Sequence, residues 1–479
     1  MEKLYLVPQK KLGRIAPEIY GVFTEHIGAC VYDGIYCGDA APNIRGFRKS
    51  IIDDLRALGT PLVRWPGGCF AETYDWRDGI GPVEDRPVRL NWWTPSDGKY
   101  EPNLVGTDEF LDFTALVGAT PYVAANLTAT TPRDIRDWVD YINSPAGTTT
   151  YARLRAANGH PEPYNVRLWG VGNENWGGGG NMTPEYYAGE YRKYAELMAN
   201  ASPDLTLIGC GANADDYAWT RGVLAELSKK SVRMDGLAFH YYCGTAGGAV
   251  DFTDDQWREL IARAGRMQEL IDRHWAAAVS YGMENHARLC IDEWGCWHND
   301  KTDLVAENHL FEQQSTMRDA VITALTLNIF NRNCEKIRLC AVAQLVNNLH
   351  ALFLAHEDRC IRTPTYHVFD MFKAHMGAEA VEVIAPDGIS ASASIKDGGL
   401  TVTMANTTPD RDITLSLTAF GMNCGKSAEI ATLGTGDLHA HNTFDCPEAV
   451  TIRRETHPHF DGEITLPRGT VAMVRMDLE

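Results

Sequence analysis

Two glutamates stand where an apolar run breaks into glycine. The segment VRLWGVGNENWGGGG puts Asn173 and Glu174 at the end of one run, and RLCIDEWGCW puts Glu293 at the end of another. Each is followed closely by tryptophan and glycine. Paired carboxylates across a cleft are what cleavage of a glycosidic bond needs. One protonates the departing oxygen, and the other stabilises or bonds to the oxocarbenium-like carbon. A single strand-terminal glutamate is commonly a solvated end or the partner of a nearby arginine; two in the same setting point to chemistry.

Other runs end in polar groups as well. Glu25-His26 closes the first, His240-Tyr241-Tyr242 the sixth, and Gln344 with Asn347 the eighth. The second closes as RWPGGCF, where Gly67 and Gly68 are expected to let the backbone approach a ligand and Cys69 to line the pocket. A lone histidine is more often hydrogen-bonded core than catalyst, so it is the strand-end position that marks His240. Asp292 alternates with Glu293 along its strand and reads as structural. The 12 cysteines include no C-x-x-C pair, Cys210, Cys290 and Cys340 lie inside apolar runs, and no His or Cys stands at ligand spacing from Cys69. Reduced, buried thiols are expected, with no metal and no cofactor.

The elements that must position these residues are eight short apolar runs: Gly21–Ile27, Leu62–Gly67, Thr120–Ala125, Val166–Val171, Thr206–Cys210, Gly236–Tyr241, Arg288–Glu293 and Ala341–Val346. Each is followed by a loop and a helical pattern, which predicts an α/β chain of repeated βα units closing into a (β/α)8 TIM barrel, with its site at the C-terminal strand ends. Helix starts are marked by Thr131-Pro132, ahead of Ile135, Trp138, Val139 and Ile142 on one face, and by Thr183-Pro184. Phe47, Ile51, Leu55 and Leu58 keep helical spacing up to a C-capping Gly59. After a last helix around Tyr366–Met376 the pattern becomes strands and turns: Ile389–Lys396, Asp397-Gly398-Gly399, Leu400–Ala405 and Ile413–Ala419. The expected division is a strand within 1–14 that pairs into the C-terminal domain, a barrel over 15–376, and an antiparallel β-sandwich over 377–479.

Composition sets limits around this. A chain of 479 residues, 44% hydrophobic and 22% charged, suits two ordinary globular domains. A net charge of -19 opposes a nucleic-acid partner, because phosphate binding needs concentrated Lys and Arg. With 12 Trp and 19 Tyr there are rings enough for a sugar platform, although most rings fill core. The start MEKLYLVPQKKLGRI lacks the apolar stretch of a secretory signal, and no run of about 18 apolar residues follows, so a cytoplasmic protein without a membrane partner is expected.

At GVFTEHIG, RWPGGCF, DWRDGIGP, GTDEFLDF, LWGVGNENWG, FHYY, IDEWG and HNTFDCPEAV the sequence resembles glycoside hydrolase family 51, the α-L-arabinofuranosidases among the retaining (β/α)8 glycosidases. The resemblance implies that Glu174 is the acid/base and Glu293 the nucleophile. It implies that Glu25, Asn173, His240, Tyr242 and Gln344 hold the furanose ring or orient the carboxylates. It also implies that the C-terminal sandwich is jelly-roll-like and takes in the N-terminal strand, and that the chain is an exo-acting enzyme on arabinose-containing oligosaccharides, assembled as a homo-oligomer. Many members carry Asn after the paired glycines, where this chain has Cys69, a weaker hydrogen-bond partner for a sugar hydroxyl. Two other functions share parts of the pattern. A retaining β-glycosidase or endoglucanase would differ in subsite shape, and a non-catalytic glycan-binding protein would bind without turnover. Trp92, Trp93, Trp176 and Trp297 are candidates for an aromatic rim on the leaving-group side, and linkage preference is not written in the residues.

Overall fold

A computed structural model describes residues 1–299, 310–421 and 424–478. Eight parallel strands close into a barrel in chain order: β2 (Gly21–Phe23), β3 (Leu62–Trp65), β4 (Thr120–Ala125), β5 (Leu168–Val171), β6 (Thr206–Gly209), β7 (Gly236–Tyr242), β8 (Arg288–Gly295) and β9 (Ile337–Ala343). Their apolar runs are continuous because they are covered on both faces. All four residues of β3 and of β5 are buried. Registers such as Arg64↔Tyr122 and Ala125↔Val171 bring the C-terminal ends level, which is where the charged residues come together.

The helices between strands begin and end as the sequence indicates. In α1 (Lys49–Leu58) Ile51, Ile52, Leu55 and Leu58 are buried, and Gly59 ends the helix at φ 66°, a left-handed conformation that glycine adopts at least cost. In α2 (Pro132–Asn143) the Thr131 hydroxyl accepts from the Asp134 N–H while the Asp134 carboxylate accepts from the Thr131 N–H, a reciprocal cap. Thr183 likewise caps α3 (Pro184–Ala201).

Two strands differ from expectation by more than two residues at an end. The first strand is Gly21–Phe23 rather than reaching Ile27; the N–H groups of Thr24 and His26 still bond to the Arg64 and Pro66 carbonyls, and the chain turns away at Ile27, whose N–H bonds back to the Glu25 carbonyl. The eighth covers Ile337–Ala343 rather than Ala341–Val346. From Gln344 onward the backbone bonds are local, Gln344 N–H to Asn348 O and Asn348 N–H to Val346 O, and local turn bonds cannot serve a ladder.

The C-terminal strands are β10 (Glu379–Ile384), β11 (Ile389–Lys396), β12 (Gly399–Asn406), β13 (Ile413–Ala419), β14 (Cys424–Leu433), β15 (Ile452–His457), β16 (Glu463–Leu466) and β17 (Val471–Leu478). With the N-terminal strand β1 (Glu2–Arg14) they form one nine-stranded sheet, ordered β15-β14-β17-β12-β11-β10-β1-β13-β16. This is the antiparallel C-terminal sheet domain that the strand-and-turn pattern predicts. β1 lies antiparallel to β10 on one side and parallel to β13 on the other, so the N-terminal strand is part of the C-terminal sheet. A single apolar cluster takes Leu4 and Leu6 from β1 together with Val381, Ala391, Val402, Leu415, Leu466 and Val474 from six other strands. The turn Asp397-Gly398, at φ 51° and 78°, closes the β11–β12 hairpin with Lys396 opposite Gly399.

By compactness the chain divides into two units, one of Gly21–Tyr241 with Asp272–Glu293, the other of Met1–Tyr20, Tyr242–Ile271 and Trp294–Glu479. Among the described residues no helix is long and apolar enough to cross a membrane.

Candidate active site

Glu174 is set by the way β5 ends. Gly172 at φ 91° and Glu174 at φ 43° turn the chain sharply, and the Glu174 carbonyl accepts from the N–H groups of Gly177 and Gly179. A Cβ on Gly179 would lie 1.8 Å from the Asn173 carbonyl oxygen, so this turn requires glycine there. A left-handed conformation in a glutamate is strained, and such strain collects at functional positions. The loop is anchored from beneath by Glu72, fully buried, which accepts from Asn173 N (2.7 Å), Asn175 Nδ2 (2.9 Å), Leu127 N (2.7 Å) and Thr128 N (2.8 Å). Burial pushes the Glu72 carboxyl up, and these donors pull it back.

Glu293 belongs to a buried charge network. Arg64, inside β3, donates from Nη1 to Glu293 Oε1 (2.7 Å) and from Nη2 to Asn173 Oδ1 (2.6 Å), while its guanidinium lies 4.4 Å from the Phe23 ring centre. His240 bridges the two carboxylates. Its Nδ1 is 2.8 Å from Glu174 Oε1 and 3.5 Å from Glu293 Oε2, and its Nε2 is 3.2 Å from Asp292 Oδ1. Burial would lower the imidazole, but Glu293, Asp292 and Glu174 outweigh it and hold His240 up to about 10. Burial raises the Glu293 carboxyl, and the Glu174 charge adds to that, against the pull of His240 and Arg64. Asp292 goes the other way. Burial would raise it, yet Arg64, His240 and the Tyr122 hydroxyl (2.7 Å) bring it down to about 2. Asp292 is thus an ionised support for Arg64 and His240, in keeping with its expected structural part.

The glycine pair works differently from expectation. A Cβ on Gly68 would lie 2.9 Å from Glu293 Oε1, and one on Gly67 would lie 2.7 Å from the Glu25 side chain. The pair makes room for the protein's own carboxylates. Glu25 Oε1 accepts from Phe70 N (3.0 Å) and from Trp93 Nε1 (3.2 Å), which brings one of the four candidate rim tryptophans to the carboxylates. Cys69 Sγ is 3.8 Å from Glu174 Oε2, and burial first and then Glu174 push its thiol up, so it stays protonated. The amide Nδ2 of Asn173 is buried without a protein acceptor. Glu25, Cys69, Asn173, Glu174, His240 and Glu293 are therefore together within one unit. Tyr242 ends β7 with its ring 5.2 Å from that of Trp297, and Gln344 follows β9, buried; both are in the other unit.

Arg64 and Glu72 were missed in the sequence. Both carry a signal in retrospect, a charge inside an otherwise apolar segment (LVRW and CFAET), which implies a buried partner. Glu174, His240 and Glu293 offer ligand atoms within 4.8 Å of one another, compact enough for a cation. The Arg64 guanidinium on Glu293 already supplies positive charge there, so the cluster suits sharing a proton better than holding a divalent ion.

Comparison with known proteins meets this geometry. The family model of the alpha-L-arabinofuranosidase 1 domain matches residues 54–256, and that of the alpha-L-arabinofuranosidase C-terminal domain matches residues 292–468. The chain is 34% identical over 461 residues to an intracellular exo-alpha-L-arabinofuranosidase of Bacteroides ovatus, covering 91% of this chain and 87% of that one. Its fold superposes on the family 51 arabinofuranosidase of Xanthomonas axonopodis pv. citri with a TM-score of 0.91 at 32% identity, all of both chains being covered. The arabinose complex of the Thermotoga maritima alpha-L-arabinofuranosidase gives 0.88 at 28% identity, again over all of both chains. With paired glutamates at two strand ends of a closed barrel, and with these relatives along its whole length, the chain belongs to the glycoside hydrolase family 51 alpha-L-arabinofuranosidases.

Proposed function

We propose that this enzyme is a retaining, exo-acting α-L-arabinofuranosidase that releases terminal non-reducing arabinofuranosyl residues from arabinose-containing oligosaccharides. The observation that carries the retaining part is the closeness of the two carboxylates. An oxygen of Glu174 and an oxygen of Glu293 lie within 4.8 Å, bridged by His240. Retaining glycosidases hold their carboxyl groups about 5–5.5 Å apart, whereas inverting ones leave roughly 6.5–9.5 Å for a water. The exo part follows the name of the Bacteroides relative.

Glu293, held by Arg64, attacks the anomeric carbon as Glu174 protonates the departing oxygen, forming a glycosyl ester on Glu293. Glu174 then takes a proton from water, which displaces the ester with a second inversion and frees arabinose with its configuration retained. The side-chain exposures, 18% for Glu174 and 7% for Glu293, agree with an acid/base that must also meet water. The orphaned Nδ2 of buried Asn173 is a donor ready for a sugar hydroxyl. Glu25, Cys69 and His240 bind or orient around it, and Tyr242 and Gln344 join them as substrate-binding residues by their match to the family's motifs. We place the enzyme in the cytoplasm, after the intracellular relative, and as a homo-oligomer, which light scattering on the purified chain tests.

Aryl α-L-arabinofuranoside, aryl β-D-xylopyranoside and a soluble β-glucan, offered in parallel, test the substrate; turnover confined to the first is expected. Methanol added to the arabinoside reaction should give a methyl arabinofuranoside of retained configuration. Early-time NMR that showed the inverted sugar would remove the two-step mechanism.

A further inference from the structure

A second buried cluster has no part in this chemistry. Cys296 and His298 follow β8, and Asp319 lies in the first turn of the helix α4 (Met317–Arg332). All three are buried, and a ligand atom from each lies within 4.8 Å of the others. Asp319 divides its two oxygens. Oδ2 accepts from Thr316 N (2.8 Å) in the helix cap, while Oδ1 faces His298 Nε2 at 3.1 Å and His350 Nδ1 at 3.6 Å.

The hydrogen bonds settle which ring nitrogens carry protons. Thr245 Oγ1 donates to the Gly247 carbonyl (2.6 Å), so toward His298 Nδ1 (3.1 Å) it can only accept. In the neutral ring that leaves His298 Nε2 a bare lone pair pointing at a carboxylate oxygen. His350 repeats the pattern. Thr323 Oγ1 donates to the Asp319 carbonyl (2.8 Å) and therefore accepts from His350 Nε2 (2.7 Å), which leaves Nδ1, buried and without a hydrogen bond, turned to the same Oδ1. With both rings neutral, lone pairs of two imidazoles and a carboxylate converge, so the cluster calls for positive charge at its centre, supplied by a metal ion or by a second proton on His298. An N–H donated away from the site, to a hydroxyl or carbonyl, is the usual arrangement of a metal-ligating histidine.

We propose that Cys296, His298 and Asp319 form a structural zinc site, its fourth position filled by Cys243 or His350. Thiolate, imidazole and carboxylate together select zinc over magnesium or calcium. Cys243 Sγ is 3.6 Å from Cys296 Sγ, too far for a disulfide of about 2.05 Å. It is close to the edge of a tetrahedron with zinc–sulfur bonds of about 2.3 Å. The three primary ligands would draw in slightly around the ion. Arg318, buried beside Asp319 in the chain, donates to the Ala246 and Gly248 carbonyls and adds positive charge next to the anionic ligands. No spacing rule in the sequence shows the site, because its members are spread from residue 243 to residue 350. Zinc there would tie the segments that follow Tyr242 and Glu293 to the start of α4.

The test uses the full chain, purified without metal-affinity steps and dialysed. Mass spectrometry of its metals should find zinc at about one per chain, falling to background in Cys296→Ser and in His298→Ala but not in Cys446→Ser, whose thiol is exposed. Should the first two variants fail to fold, the unaltered chain decides. Cobalt exchanged into it should give a thiolate-to-metal band in the near ultraviolet, which added zinc displaces. An unaltered chain that arrives without zinc and takes up neither zinc nor cobalt overturns the proposal and leaves a buried His298–Asp319 ion pair. An intact mass showing two hydrogens lost to a Cys243–Cys296 disulfide overturns it too.

Discussion

The ends of β5 and β8 and the interior of the C-terminal sheet are both buried, yet they are made of opposite materials. Around Glu174 and Glu293 the buried side chains are Arg64, Glu72, Asn173, His240 and Asp292, in a network that leaves Asn173 Nδ2 without an acceptor. In the sheet's apolar cluster they are Leu4, Leu6, Val381, Val402, Leu415 and Val474, whose side chains carry no polar atom, while the buried Ser390, Ser392 and Thr403 of β11 and β12 are hydrogen-bonded outside that cluster to Asn328 and Asn331 of α4. Desolvating charges costs several kcal/mol each and is offset only by good partners, whereas burying a Leu or Val contributes roughly 1.5–3 kcal/mol. One region draws on stability to hold charges in place for chemistry, and the other supplies stability.

The sharpest break in that contrast comes from the carboxylates. Glu293→Ala should lower kcat by several orders of magnitude on every arabinoside, whatever its leaving group. Glu174→Ala should lose about 10²–10⁴-fold on alkyl-linked substrates but still form the intermediate from an activated aryl one, with azide restoring turnover as the glycosyl azide. Steady-state and burst kinetics separate the two. A burst kept by Glu293→Ala and abolished in Glu174→Ala would reverse the roles, and near-normal rates in both would make the glutamates structural.

Arg64→Met cuts the network at its cation. Glu293 and Asp292 would lose their buried counter-charge, a change that costs about 3–5 kcal/mol, and activity should fall with it. Urea unfolding measures the first and kcat the second. Leu415→Ala cuts the sheet instead. A fully buried Leu truncated to Ala should cost about 2–5 kcal/mol, while kcat per folded molecule stays as it was. A Leu415→Ala enzyme that is stable but slow would erase the distinction between the regions.

The same contrast explains what could be read in the sequence. Alternating or continuous apolar runs, Thr-Pro starts and Gly stops are local, and they located all eight barrel strands, α1, α2 and the Asp397-Gly398 hairpin, with the eighth strand displaced by local turn bonds after Ala343. Strand-end position marked Glu25, Asn173, Glu174, His240 and Glu293 among other strand-end residues, and the fold brings these five together. Arg64 and Glu72 were not legible, because a buried charge means something only beside its partners. Those lie as far away as Glu293 for Arg64 and Asn173 for Glu72. The passage of β1 between β10 and β13 is equally non-local, since nothing in Glu2–Arg14 names its neighbours.

The finest test of the contrast is the pH dependence of stability in Glu293→Gln. An unfolded glutamate ionises near about 4.3, but in the folded enzyme burial and Glu174 hold the Glu293 proton to higher pH. Below both values native and unfolded chains bind the proton alike, and Glu293 contributes no difference. Above about 4.3 the unfolded chain releases a proton that the native one keeps, so stability falls with rising pH until the native group has ionised too, and the loss then stays constant. Gln carries no such proton, so the variant should match the wild type in acid and exceed its Tm by a few degrees at neutral pH. His240 adds a second window. Held up to about 10 in the fold, against about 6.5 when unfolded, it contributes stability that is complete below about 6.5 and lost as pH rises toward about 10. Glu293 is the first of the carboxylates that raise it, so in Glu293→Gln this alkaline fall should be shallower, though Asp292 and Glu174 preserve part of it. Calorimetric Tm values from pH 4 to 10 would trace both windows. A Glu293→Gln chain less stable than wild type at pH 7 would mean that the ionised carboxylate on Arg64 strengthens the fold, and that the strand ends give up no stability at this position.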